Sequence, residues 1–268
     1  MNAATPQGAA PRPSDSAAPE LSIIVPTFRE AANLPVLIER VFAALSAAGI
    51  VAEMIVVDDN SNDGTEQVVG DWSQRVPVKL IVRREERGLS SAALRGFDEA
   101  RGGLLLVMDA DLSHPPERIA DLIAPLRRNE ADFVIGSRYV SGGTTQDWGM
   151  DRWLNSFVAT LLSRPLTSAR DPMAGFFCLQ RETLRRAAPL NPIGYKIGLE
   201  LIVKCRCRRV AEVPIVFTDR LHGESKLTNK QRIEYLQHLV RLYRFKYPWL
   251  APMLALGILA LILWLVRR

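Results

Sequence analysis

Leu104-Leu105-Leu106-Val107-Met108-Asp109-Ala110-Asp111 is an apolar run that stops on two carboxylates. The run is short, lacks helical spacing and is rich in branched side chains, so it reads as a strand buried on both faces. In an extended segment, side chains two residues apart point the same way. Asp109 and Asp111 can therefore approach one cation, and hard oxygen ligands suit Mg²⁺ or Mn²⁺. Ser113 offers a further oxygen, directly or through water. Taken alone, an Asp-x-Asp pair more often marks a solvated turn at a strand end. Its neighbours in the chain decide how it is read.

Two earlier runs end in the same manner. Leu21 to Val25 is a β-rich segment stopped by Pro26, and Met54 to Val57 runs straight into Asp58 and Asp59. Between them, Leu34, Leu37, Ile38, Val41, Phe42 and Leu45 recur at helical spacing, which predicts a helix over residues 31–48. Asn60 to Gly64 forms a turn, and a second helix begins at Thr65. A strand over residues 78–82, a helix over 90–100, a helix over 116–128 and a strand over 133–135 continue the pattern. Strand and helix thus alternate over roughly 120 residues, which implies a mostly parallel sheet with helices on both faces. Ligands of such sheets sit beyond the carboxyl ends of the strands. The segments Pro26 to Glu30, Asp58 to Asp59 and Asp109 to Asp111 should converge there on one crevice.

The pattern changes after Gly143. Residues 153–166 and 229–247 read as amphipathic helices, with strand-like runs over 176–179 and 213–217 between them. Trp249 to Val266 is an 18-residue stretch without a charge, followed by Arg267 and Arg268. At about 1.5 Å per residue it reaches about 27 Å, close to one bilayer core, and predicts a single C-terminal transmembrane helix. The expected organisation is a disordered Ala/Pro/Ser-rich tail over 1–20, a catalytic domain over 21–228, an interface helix over 229–247 and a membrane helix over 248–268. Arg241, Arg244 and Lys246 precede the span, which favours a catalytic domain facing the cytoplasm, at a bacterial inner membrane or its equivalent.

Charge and cysteines narrow the classes further. The net charge of +5 is concentrated in a tract from Arg206 to Arg209 and again between Arg220 and Arg244. That distribution suits an anionic membrane surface or a phosphorylated ligand. No aromatic–basic signature of nucleic-acid recognition accompanies it. Three cysteines, two of them in Cys205-Arg206-Cys207, make neither a disulfide framework nor a zinc spacing, and read as reduced thiols.

Six ordered segments together resemble the family 2 glycosyltransferases, and more narrowly the dolichol- and polyprenol-phosphate mannosyltransferases. They are Pro26 to Pro35, Val56 to Thr65, Met108 to Glu117, Gly136 to Tyr139, Asp171 to Phe176 and His222 to Leu227. The resemblance covers about Leu21 to Tyr247. It implies a glycosyltransferase-A type nucleotide-sugar-binding domain. By the same resemblance, Pro26, Phe28 (usually Tyr in the family) and Glu30 belong to the nucleotide-binding loop, and Val57 and Asp59 complete that pocket. Asp109, Ala110, Asp111 and Ser113 match the metal and diphosphate site, with Ser113 where many relatives carry Gln. Arg220 and Lys226 match cations of a closing loop that hold the donor diphosphate. Arg138, Arg152 and Ser156 match positions associated with the acceptor phosphate, and Arg152 and Ser156 share a face if helical. The catalytic set is then Asp111, Arg138, Arg220 and Lys226.

The chemistry of such an acceptor is consistent with what the chain lacks. A sugar hydroxyl must lose a proton on attack, so a positioned base helps. A lipid monophosphate has a second pKa near 6 and is already a competent anion at neutral pH. The enzyme then needs positioning and charge neutralisation, and His222 is assigned no role. The resulting expectation is inverting transfer of a monosaccharide, foremost mannose from GDP-mannose, to a dolichyl or undecaprenyl phosphate, with Mg²⁺ or Mn²⁺. The alternatives are a UDP-sugar donor such as UDP-glucose and, remotely, a non-catalytic membrane scaffold, which would not need Asp109 and Asp111. A processive synthase would carry Gln-x-x-Arg-Trp and several spans; here Arg152-Trp153 lacks that spacing. Lipid length and oligomeric state are left open.

Overall fold

The computed structural model describes residues 18–145, 150–191, 193–194, 196–218 and 229–249. Strands β1 (Leu21–Thr27), β2 (Ala52–Asp58), β3 (Val78–Val82) and β4 (Leu104–Val107) alternate with helices α1 (Leu34–Ala47), α2 (Thr65–Ser73) and α3 (Leu89–Glu99). After a 3-10 turn over Pro116–Arg118 come α4 (Ile119–Arg127) and β5 (Phe133–Ser137). The second half adds β6 (Thr144–Thr145), α5 (Met150–Ser163), β7 (Phe177–Gln180), α6 (Arg181–Arg185), α7 (Ile197–Lys204), β8 (Val210–Pro214), β9 (Val216–Phe217) and α8 (Asn229–Lys246).

The main sheet has seven strands in the order β3-β2-β1-β4-β7-β5-β8. Every pair is parallel except those of β7, which runs antiparallel to both β4 and β5. The mostly parallel α/β architecture expected from the alternating pattern is therefore present. All seven residues of β1 and of β2 are buried, as continuous apolar strands between two helical layers must be. Two apolar clusters form, one on each face: Leu34, Leu37, Ile38 and Val41 of α1 pack with Ile23 and Val25, while Ala92, Ala93 and Phe97 of α3 pack with Ile24 and Val57. Gly96 permits that second contact, since a Cβ there would lie 2.4 Å from Ile24 Cγ2.

Three details depart from the sequence reading. The apolar run over 213–217 divides at Ile215 between β8 in the main sheet and β9, which pairs with β6 in a small second sheet. Helix α7 was not anticipated. Glu20, placed in the tail, is tied down: its N–H donates to Val51 O and its carboxylate takes two bonds from Arg127, at 2.6 and 2.7 Å. No helix among the described residues is long and apolar enough to cross a membrane. The expected span lies outside the described residues from Leu250 onward.

Candidate active site

Strand register brings the acidic segments to one edge. Pro26 lies opposite Val57 and Thr27 opposite Asp58, while Ile24 lies opposite Val107. The chain continues alongside β1 as Met108 N–H donates to Ile24 O at 3.1 Å, and Asp59 N–H donates to Thr27 O at 3.0 Å. Asp59 and Asp109 thus leave strands on either side of β1, separated by two strand spacings, or about 10 Å.

The loops after β1 and β2 are joined by backbone-to-side-chain bonds. Arg29 N–H donates to Ser61 Oγ at 2.7 Å and Ala31 N–H to Asp63 Oδ2 at 3.0 Å. Asp58 accepts from Thr27 Oγ1, Ser61 N–H and Ser61 Oγ, so it holds the turn. Arg29, Asn60 and Asn62 all have positive φ, a costly conformation that the interlocked loops impose. Phe28 stays 41% exposed beyond this frame, with the Arg29 and Arg87 guanidiniums 5.2 and 5.4 Å from its ring centre. Pro26 and Val57 are buried in their strands, and Glu30 takes a 2.6 Å bond from Asn33 Nδ2. Asp59 is nearly buried. Its Oδ1 accepts from Arg83 Nε (2.8 Å) and Nη2, and its Oδ2 accepts from Gly88 N–H at 2.7 Å. The carboxylate therefore anchors the loop before α3 to the carboxyl end of β2.

The second carboxylate cluster is held differently. Asp109 is partly exposed, with 29% of its side chain accessible, whereas Asp111 is buried. Asp111 Oδ1 accepts from Ser113 Oγ at 2.6 Å and from Ser113 N–H at 3.2 Å. Leu112 between them has φ 63, a strained value for a branched residue. His114 fixes the turn from within: its Nδ1 accepts the Asp109 N–H at 3.0 Å, which puts the ring hydrogen on Nε2, 3.9 Å from Asp109 Oδ2. The ring stacks on Phe176 and meets Phe217 edge-on, at centroid distances of 5.2 and 5.6 Å. Gly175 completes the cradle, since a Cβ there would lie 3.3 Å from both Asp109 oxygens and from His114 Cε1.

These residues fit a hard divalent ion. Among the described residues no three His, Cys, Asp or Glu side chains cluster tightly enough to hold a metal unaided. Two carboxylates beside a glycine cradle instead suit an ion that completes its shell with ligand oxygens and water, as Mg²⁺ commonly does.

Arg138 stands at the end of β5. Its Nε and Nη2 form a fork on Asp171, both at 2.7 Å, and its own N–H donates to the same carboxylate at 3.0 Å. Burial pulls the guanidinium pKa down, but the Asp171 pair outweighs it and the net direction is upward, with Asp109 and Tyr139 adding attraction. Asp171 is positioned in turn by Glu212, which accepts the Arg170 and Asp171 N–H groups at 2.8 and 2.9 Å. Arg138 also lies over the Tyr139 and Phe217 rings, at 5.3 and 5.4 Å. Ser156 of α5 meets Tyr139 Oη at 2.8 Å, linking that helix to the Arg138 turn. Ala110 is buried. Arg152 belongs to α5, but its side chain lies outside the described residues, as do Arg220, His222 and Lys226.

Sequence reasoning did not single out His114, Asp171, Gly175 or Arg83. The first three fall inside the quoted motifs. Asp171, Gly175 and Arg83 act through contacts made across the fold, for which local spacing carries no signal, while the bond of His114 to Asp109 is local.

Comparison with known proteins identifies the family and the fold. The family model described as glycosyl transferase family 2 matches residues 22–187. The chain is 44% identical over 263 residues to a dolichol-phosphate mannosyltransferase of Mycosarcoma maydis, covering 94% of this chain and 89% of that one. It is 46% identical over 238 residues to the dolichol-phosphate mannosyltransferase of Saccharomyces cerevisiae, covering 85% and 88%. Among solved structures it superposes on glucosyl-3-phosphoglycerate synthase from Mycobacterium tuberculosis in complex with Mn²⁺, UDP and phosphoglyceric acid. That match has a TM-score of 0.63 at 18% identity and covers 85% of this chain and 78% of the other, a likeness of fold.

Proposed function

This chain belongs to glycosyl transferase family 2, alongside the dolichol-phosphate mannosyltransferases, and from that premise we propose that it transfers mannose from GDP-mannose to a polyprenyl phosphate. The observation that carries the reading is that Asp59, Asp109 and Asp111 lie beyond the carboxyl ends of β2 and β4, the two strands that flank β1. Phe28, Asp59 and the joined loops would receive the nucleotide, and Asp109 and Asp111 would hold Mg²⁺ or Mn²⁺ against its diphosphate. Such an ion, when bound, neutralises the charge of the departing nucleoside diphosphate. The acceptor phosphate needs no base from the protein, so attack opposite the leaving group inverts the anomeric centre. Arg138 sits within the attraction of Asp109, and its fork on Asp171 gives it the fixed direction that approach of a second anion demands. Arg152, Ser156, Arg220 and Lys226 complete the proposed set for acceptor and donor phosphates.

A lipid phosphate lies at a bilayer surface, and α5 and α8 support a site there. Phe157, Leu161, Ile233, Leu236 and Val240 are at least 50% exposed, with Val158 and Leu162 beside them. Apolar side chains exposed at helical spacing on two neighbouring helices suit insertion at a headgroup boundary. Residues 248–268 would add the membrane anchor, leaving the catalytic domain on the cytoplasmic side. The test is purified full-length protein with undecaprenyl phosphate, Mg²⁺ or Mn²⁺, and a panel of labelled sugar nucleotides. The proposal requires a mannosylated lipid from GDP-mannose. Transfer from UDP-glucose alone would reassign the donor, and absence of any lipid product would refute it.

A further inference from the structure

The basic tract from Arg206 to Arg209 is not used by the proposed transferase site. It lines a cleft of about 830 Å³ with Arg186, Lys204 and Asp132. The cleft lies where β5 and β8 begin, because Asp132 immediately precedes β5, Arg209 immediately precedes β8, and these strands are parallel. It is therefore at the opposite edge of the sheet from the carboxylates, about 16 Å away along a five-residue strand.

Its charges are unevenly compensated. Arg209 pairs with Asp132 at 2.8 Å and Lys204 with Glu200 at 2.6 Å. Arg186 donates only to a hydroxyl, Thr183 Oγ1 at 3.1 Å, and among the described residues Arg186, Arg206 and Arg208 have no ion-pair partner. Attraction to the carboxyl end of α7 accounts for cations at Lys204 and Arg206. Arg186 stands in the same way at the end of the short α6, which leaves Arg208, in the turn before β8, without such an account. Arg206 has φ 54 where the helix cap is closed by Cys207 N–H donating to Ile202 O at 3.0 Å. Glycine is the usual residue at that position, so a strained arginine is retained there. The positive field reaches inward: contact with the Cys207 thiol and then the charge of Arg186 lower the Cys205 pKa against the effect of burial.

The geometry points to a second anion site, in which Arg186, Arg206 and Arg208 together bind a ligand carrying two or more phosphate groups. Three guanidiniums, two from the turn between α7 and β8 and one from just beyond α6, line one cleft wider than a single phosphate needs and match that chemistry through charge-assisted, forked bonds. The ligand is either a soluble polyphosphate compound or the headgroup of a phosphorylated lipid.

Calorimetry of the full-length protein with inorganic tripolyphosphate tests this in three forms. In the wild type binding should be saturable and weaken with added salt. The D109N/D111N variant, which removes metal-dependent diphosphate binding in the crevice, should bind as the wild type does, all forms being measured in EDTA. The R186A/R206G/R208A variant should bind at least about 30-fold more weakly, from the loss of several charge-assisted bonds. Gly suits the backbone at 206, so that variant removes charge without adding strain. A second arm compares retention on neutral phosphatidylcholine vesicles with vesicles containing a bisphosphorylated inositol lipid. Extra retention lost in the arginine variant identifies a headgroup, and arginine dependence confined to tripolyphosphate identifies a soluble ligand. No binding by the wild type, binding that survives the arginine substitutions, or binding lost in the aspartate variant overturns the proposal.

Discussion

Asp111 contributes a carboxylate that is almost wholly buried, with its geometry set by the next polar residue: Ser113 donates both N–H and Oγ–H to Oδ1. A hydroxyl that donates still carries lone pairs, so the oxygen expected from Ser113 and its orienting role are compatible. Replacing Asp111 by Asn removes the negative charge and retains the shape. Turnover should fall at least about 100-fold, with loss of metal-dependent donor binding; near-wild-type turnover would remove Asp111 from the site. His114→Phe keeps the stack on Phe176 but deprives the Asp109 N–H of its acceptor, at a cost of about 1–2 kcal/mol. A kcat lowered by about tenfold is expected, with thermal stability changed little more than that cost implies. At this scale the two Asp residues were legible as candidates because they directly follow an apolar strand, but β4 ends at Val107 and residues 110–112 bend, so the expected period of two does not extend over them. The role of Gly175 was not legible, since it depends on contact with Asp109 and His114 from another part of the chain, and the bond of His114 to the Asp109 N–H, though local, is held by packing on Phe176 and Phe217.

At the scale of elements, α5 and α8 were legible as amphipathic helices, and the structure shows how they hold together. Tyr235, Tyr243 and Tyr247 donate to Ala159 O, Leu162 O and Pro165 O at 2.7, 2.7 and 2.6 Å. Tyr243 thereby satisfies one of the carbonyls that the end of α5 leaves open. Helix α7 escaped the sequence reading because Ile197 to Val203 is buried throughout, so no polar face marks a period. Strand β7 offered no clue to its direction, since its partners β4 and β5 are far away in the chain. Within α7, Glu200 is enclosed between Lys204 and His238 of α8. Burial raises its carboxyl pKa, but contacts with His238, Lys204 and the Asn191 N–H outweigh this and hold it at about 2. A carboxylate with a depressed folded-state pKa stabilises the fold above its unfolded value near 4.5, and loses that contribution as pH falls toward 2. The contribution is on the order of 3 kcal/mol at most. Glu200→Gln should therefore lower Tm at pH 7, with the gap to wild type narrowing below about pH 4.5; a gap independent of pH would exclude the linkage. Separately, in protein truncated before Pro248, so that the proposed anchor does not hold it, L161Q/I233Q/V240Q should leave donor binding intact while weakening retention on neutral lipid vesicles. Unchanged retention would show that these helices do not meet the bilayer.

For the whole molecule, the sheet separates two kinds of charge. Carboxylates collect where β1, β2 and β4 end, and arginines, of which Arg186, Arg206 and Arg208 have no ion-pair partner among the described residues, collect where β5 and β8 begin. The first arrangement was readable because alternating strands and helices force a parallel sheet, and a parallel sheet sends every strand end to the same side. The second was visible only as a basic tract, since Arg186 joins it from a different element. The account rests on Asp109 and Asp111 holding a divalent ion against a nucleotide diphosphate, and calorimetric titration of GDP with and without Mn²⁺ tests that most directly. Binding by the wild type should strengthen markedly with Mn²⁺, and the D109N/D111N variant should bind GDP equally weakly in both conditions. Tight GDP binding that ignores both the ion and the two substitutions would contradict it.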